Sequence, residues 1–186
     1  MLHFCEKALA FIKRYRNQKD GFHPQGIFTV ECRDKDGNLK WMQKAPNGVT
    51  DAGINMLLNI GFNQTAPGSY PKLAPNWYVG LITDPAVLAA GDTMASHAGW
   101  TEWTNYTEAT RVLWTAGVAA AKQITNAGAM VFTMNTGGTV YGFFVTSVNT
   151  KGGATGTLWS TAQFTSGSQV VVSSDVLNVT YTLSAA

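Results

Sequence analysis

Charge is the scarcest property of this chain. Only 13% of its 186 residues are Asp, Glu, Lys or Arg, about half the usual share of a soluble globular domain. Hydrophobic residues make up 45%, so the chain has enough apolar surface to bury a core, and disorder driven by charge and polarity is excluded. Long hydrophobic runs are also missing. The stretch Ala8-Leu9-Ala10-Phe11-Ile12 is closed off by Lys13 and Arg14, far short of the ~18 apolar residues a membrane span needs. No small-residue cleavage site follows it, so neither a membrane span nor a secretory signal is expected. Cysteine is limited to Cys5 and Cys32, far apart and without metal or redox spacing; two free thiols are expected rather than a bridge. His3, His23 and His97 are equally scattered.

The few charges are unevenly placed. Residues 1–44 hold nine of the 13 basic and five of the 11 acidic side chains, and the remaining 142 residues carry only ten charges with a net of −2. Threonine fills the gap, with 22 in the chain. A surface that is polar yet nearly uncharged suits a protein packed into an assembly better than one that stays dispersed by charge. Nucleic-acid binding, which needs a concentrated basic face, is not expected of the main part of the chain.

The chain divides into an N-terminal helical arm and linker (residues 1–25) and a main domain (residues 26–186). Leu2, Cys5, Leu9 and Ile12 fall on one stripe of an amphipathic helix over 2–19, with Phe4, Ala8, Phe11 and Tyr15 beside it. Leu2, Leu9, Phe11, Ile12 and Tyr15 are the candidate docking residues of that arm, whether it packs on its own domain, touches a membrane surface or docks on a neighbouring subunit. Gly21 to Gly26 breaks the helix as a linker. Phe28, Val30 and Cys32 then alternate with polar residues as a half-buried strand requires, and Asp34 to Asn38 supplies a hairpin turn with Asp-Gly suited to positive φ. Asp34, Asp36 and Asn38 superficially imitate a calcium loop, but no bidentate Glu closes it. Thr50 is the expected N-cap of a short helix to Leu58, with Ile54, Leu57 and Leu58 as its buried stripe.

From there the pattern is mainly β. Strands are expected over 77–83, 111–116, 129–134, 140–147, 156–164, 169–173 and 176–183, the last five separated by short Gly-containing or Ser-Asp turns. Many short strands at this spacing read as a sandwich or a barrel, and a β-sandwich of jelly-roll or Ig-like type is the preferred architecture.

Chemistry is not concentrated anywhere. The one dense polar stretch, Gly91 to Arg111, holds Asp92, Ser96, His97, Glu102 and Glu108, but no Gly-x-Ser-x-Gly elbow surrounds Ser96. Glu102 and Glu108, six apart in a Thr-rich loop, are too ordinary a pair to mark glycoside cleavage. No catalytic residue, metal site or cofactor is expected, because no nucleophile, base and orienting acid, and no His/Cys pair at ligand spacing, can be assembled from the pattern. The same stretch instead reads as a pinned clasp loop. Ser96-His97-Ala98-Gly99 allows close backbone approach, Trp100, Trp103 and Tyr106 bury area, and Glu108 is expected to pair with Arg111 at a strand entrance. The clasp would hold one sandwich edge or a subunit contact.

The segments Trp77-Tyr78-Val79-Gly80-Leu81-Ile82, Gly91 to Glu102, and Tyr106-x-Glu108-Ala109-x-Arg111 are distinctive in combination. With Asn47 to Gly53, Thr150 to Gly153 and Leu177 to Leu183, they resemble a family of small structural proteins encoded by tailed bacteriophages and their prophages. The resemblance runs from about Gly26 to Ala186 and leaves the arm outside it. It implies a non-enzymatic virion protein on the particle exterior, partnered by the major capsid protein or by tail or neck proteins and forming a homo-oligomer, with no nucleic acid or membrane as partner. Its most concrete form is a capsid decoration or cementing subunit anchored by the arm. The alternative is a tail- or fibre-associated adaptor, or a module binding surface glycan through the aromatic loop.

Overall fold

The computed structural model describes residues 24–62, 76–83, 87–118, 120–121 and 123–185. The expected helix of residues 2–19, with Leu2, Leu9, Phe11, Ile12 and Tyr15, lies outside the described residues, as does Cys5.

The described chain is mainly β. Strand β1 (Pro24–Arg33) and β2 (Leu39–Val49) form the expected hairpin, followed by helix α1 (Asp51–Phe62) and β3 (Trp77–Thr83). Four short strands come next: β4 (Thr101–Trp103), β5 (Val112–Trp114), β6 (Gln123–Thr125) and β7 (Met130–Thr133). The C-terminal part supplies β8 (Gly138–Val140), β9 (Gly142–Thr146), β10 (Leu158–Gln163), β11 (Gln169–Val171) and β12 (Val176–Ala185). Ten strands join in one antiparallel path ordered β4-β3-β9-β10-β2-β1-β12-β6, with β5 also on β3 and β7 also on β12, while β8 and β11 pair separately.

The long β2 turns this path into two facing layers. Its first part pairs with β1 as far as Pro46, and its last three residues, Asn47 to Val49, pair with β10. Proline has no N–H for another rung, which suits a point where a strand changes partner. Asn47 fills the gap: its side-chain oxygen accepts from Gly26 N, and its Nδ2 donates to the Tyr181 hydroxyl at 2.8 Å. Beyond that corner the path folds back, so that Phe28 of β1 stacks on Phe143 of β9 with ring centroids 4.9 Å apart. The arrangement is sandwich-like, with the main core between a first layer (β2, β1, β12, β7) and a second layer (β10, β9, β3).

Helix α1 is tied to the second layer by a bulge. The β9–β10 register shifts between Leu158 and Ser160, which frees the Trp159 carbonyl to accept from Thr50 N at 3.0 Å. Thr50 is the N-cap: its hydroxyl oxygen accepts from Gly53 N at 3.1 Å and donates to the Leu158 carbonyl. A side chain at Gly53 would place Cβ 2.8 Å from the Trp159 oxygen, so the helix approaches the bulge only because that position is glycine. The buried positions are therefore Gly53 and Met56, with Leu57 against the core and Ile54 only half-buried.

Two further expectations are adjusted, and the hairpin turn at Asp34 stands as read. Pro24 to Gly26, read as linker, are strand, because β12 runs to Ala185 and pairs with them. The single strand expected over 140–147 is two: β8 pairs with β11, β9 pairs with β3 and β10, and Tyr141 between them donates to Ile82 O and accepts from Phe164 N. The Asp34 carboxylate is spent inside its own turn on the N–H groups of Asp36 and Asn38, both at 2.9 Å. Those bonds, led by the Asn38 contacts, hold its pKa below the ordinary carboxylate value.

Candidate functional site

The polar stretch 87–111 covers the outer side of the second layer. Its first part is braced on itself: Val87 N donates to Gly99 O, and Thr93 and Ser96 exchange backbone bonds. Asp92 Oδ2 accepts from Ala89 N and from the Trp100 indole, both at 3.0 Å. These bonds set the indole down against Phe144 (5.1 Å between centroids), and the His97 ring stacks on the indole at 3.9 Å. His97 Nδ1 lies 3.0 Å from the Trp100 carbonyl oxygen, a contact satisfied when that nitrogen carries the proton. Trp100 is 4% exposed and closes a small second core with Ile82, Met94, Phe144 and Leu158.

Strand β4 then sends alternate side chains to opposite sides. Trp103 enters the main core, against Gly138, where a Cβ would lie 2.0 Å from its ring. Glu102 points outward and meets Arg111. The guanidinium takes the carboxylate with two parallel bonds, Nε to Oε1 at 2.9 Å and Nη2 to Oε2 at 2.8 Å. It also donates to the carbonyls of Val148 (2.9 Å) and Gly153 (2.8 Å), while Gly152 N donates to Glu102 at 2.8 Å. Arg111 is 1% exposed, with its charge 5.1 Å from the Phe144 ring centroid. A buried cation of this kind is tolerable only because it is paired and hydrogen-bonded through all three of its nitrogens.

Glu108 is therefore not the partner of Arg111, contrary to the sequence expectation. Its carboxylate accepts from Thr133 N on β7 at 3.1 and 3.2 Å. Glu102, one residue before Trp103, lies on the guanidinium side because of strand alternation, which sequence distance conceals. Tyr106 is 1% exposed, edge-on to Phe132 at 5.1 Å. Lys151 covers it, with Nζ 4.1 Å from the ring centroid and 2.9 Å from the Tyr106 carbonyl oxygen. Burial, and then the nearby Glu102 anion, push the Tyr106 hydroxyl above its ordinary pKa.

The structure thus gathers His97 with Trp100 and Arg111 with Glu102 on the outer side, while Trp103 and Tyr106 face the main core and Glu108 ties down β7. Asp92, Phe144, Lys151 and the 148–153 turn complete the clasp. Of these, the turn was visible in Thr150-Lys151-Gly152-Gly153, but nothing in the spacing linked it to residue 111. Chemically the arrangement binds loops. Both Glu102 oxygens are filled by Arg111 and Gly152, and Glu108 is occupied by a backbone donor. Among the described residues no group of three His, Cys, Asp or Glu side chains is placed to hold a metal ion, and no helix is long and apolar enough to cross a membrane. Cys32 is a free, fully buried thiol, its pKa pushed up to about 12 by burial and by the Asp175 carboxylate.

Comparison of the chain with protein-family models, with curated proteins and with solved structures finds no match.

Proposed function

We propose that this protein is a non-enzymatic virion subunit on the exterior of a tailed-phage particle, a decoration or cementing protein of jelly-roll or Ig-like sandwich type. The observation that carries the reading is the clasp. Asp92, Glu102, Glu108 and Arg111, the charged groups of the one dense polar stretch, are spent on backbone, indole or each other, which is the chemistry of a mechanically locked loop. A nearly uncharged Thr-rich chain and the resemblance of residues 26–186 to phage structural proteins point the same way. The arm before residue 24 would dock on a neighbouring subunit, with the major capsid protein as principal partner.

The glycan-binding alternative fares less well, since Trp100 and Trp103 are 4% and 9% exposed and neither offers a ring face to a sugar. A tail or neck adaptor keeps the same fold and differs in location alone. Antibody labelling of intact particles tests the reading. Even label over the head supports decoration, label confined to the tail or one vertex supports the adaptor, and particles without label overturn the virion assignment. If the subunit cements, capsids lacking it rupture at lower temperature than complete ones.

A further inference from the structure

The two layers differ in what covers their outer sides. Stretch 87–111 lies on the second layer, whereas no described segment forms a second core on the outer side of the first. That outer side is built from alternate residues of four neighbouring strands. Ile27, Met42 and Val131 are exposed on it by 36%, 55% and 40%, on β1, β2 and β7 respectively. Between them stand Thr29, Asn178 and Thr180, held in register across β1 and β12, and the exposed cation Lys44, opposite Thr29 on β2. Its one carboxylate, Glu31, is paired with Arg33 at 2.9 Å.

We propose that this face is a two-fold interface with a second copy of the chain, sheet against sheet. This rests on the proposed virion subunit and names a surface for the homo-oligomer that the sequence resemblance implies. The area is small but sufficient: ten residues each of β1 and β12, the seven of β2 paired with β1 and the four of β7, at about 3.4 Å per residue and about 4.8 Å per strand, outline about 500 Å². A pair would bury about 1,000 Å², the low end of specific interfaces, so the dimer is weak and concentration-dependent. The charge pattern fits as well. Residues 1–23 carry a net charge of +3 and would find no unpaired carboxylate here. A second copy of a face whose charges are the Glu31–Arg33 pair and the single cation Lys44 brings few like charges together, and a self-complementary patch closes under two-fold symmetry.

Sedimentation velocity on the full chain, from about 1 to about 200 µM, tests this over the range where an interface of that size associates. The expected result is a shift from the 20.0 kDa monomer to twice that mass. Met42→Glu combined with Ile27→Glu should move the midpoint upward at least about tenfold, with circular dichroism unchanged because both side chains are exposed. Leu9→Glu with Ile12→Glu in the arm should leave it in place. If the double face variant does not fold, Thr180→Arg serves in its place. A monomer throughout, a midpoint indifferent to the face variants, or one abolished by the arm variant would each overturn the proposal. Because association is read in free solution, its failure leaves the particle reading intact, and unlabelled particles would remove that reading while leaving the dimer.

Discussion

The first and second layers of this sandwich are built from the same kind of strand but obey different burial rules. In β1, Gly26, Phe28, Val30 and Cys32 are buried while the residues between them are half-buried or exposed. In β9 every residue from Gly142 to Thr146 is buried, and in β10 all but Gln163. A half-covered antiparallel sheet alternates, whereas a sheet covered on both sides reads as a continuous apolar run. The difference is made by stretch 87–111, which lays Trp100 on Phe144 and seals the outer side of β3, β9 and β10. One layer is thus finished within the chain and the other is left with an open face.

The clasp should be the most sensitive place at which to break that contrast. Replacing Arg111 with Met leaves Glu102 buried without its partner and two carbonyls without a donor, and should cost about 3–5 kcal/mol in urea denaturation. Adding Glu102→Gln to that variant should recover part of the loss, since the uncompensated charge is gone. No recovery would mean that the clasp acts through packing alone. Trp100→Ala should follow closely, at about 3–5 kcal/mol for a buried aromatic, and should also expose β9 amides to hydrogen exchange. A Trp100→Ala protein with wild-type melting would remove the second core as a stabilising element.

The junction between the layers should respond less. Thr50→Ala removes the N-cap bond to Gly53 and the hydroxyl contact with the Leu158 carbonyl, at a cost of about 1–2 kcal/mol. Exchange should then increase in α1 before it increases in β1, because only the helix and bulge depend on that hydroxyl.

The first layer was legible in the sequence because alternation has a single physical cause there. Phe28, Val30 and Cys32 face the core and their neighbours do not, and the Asp-Gly turn, with Gly37 at φ 85°, closes the hairpin where its chemistry demands. Strand β3 was also read correctly, since its apolar run survives burial on both sides. Strands β4 and β6 were not found, because Thr101-Glu102-Trp103 and Gln123-Ile124-Thr125 each offer one apolar residue in a polar stretch, too little to display a period. Of the clasp, the burial of Trp100, Trp103 and Tyr106 was foreseen, and so was the involvement of Arg111. The identity of its partner was not. Glu108 lies nearer in sequence, but Glu102 reaches Arg111 because β4 and β5 both pair with β3 and the 148–153 turn folds over them. Such a contact is set by tertiary register, which no local pattern encodes.

The smallest predicted effect separates the layers most sharply. Thr180 on β12 and Phe144 on β9 are both outward residues of paired strands, but Thr180 is exposed and Phe144 fully buried. Thr180→Lys, measured on dilute monomer, should therefore change stability by no more than about 0.5 kcal/mol, against about 3–5 kcal/mol for Phe144→Ala. Repeating the Thr180→Lys measurement at high protein concentration adds a second reading. A charge on the open face should then lower the apparent melting temperature relative to wild type, because dimerisation stabilises only the protein that can still dimerise. A large loss already present in dilute solution would mean that the first layer carries a cover of its own, and the contrast between the layers would disappear.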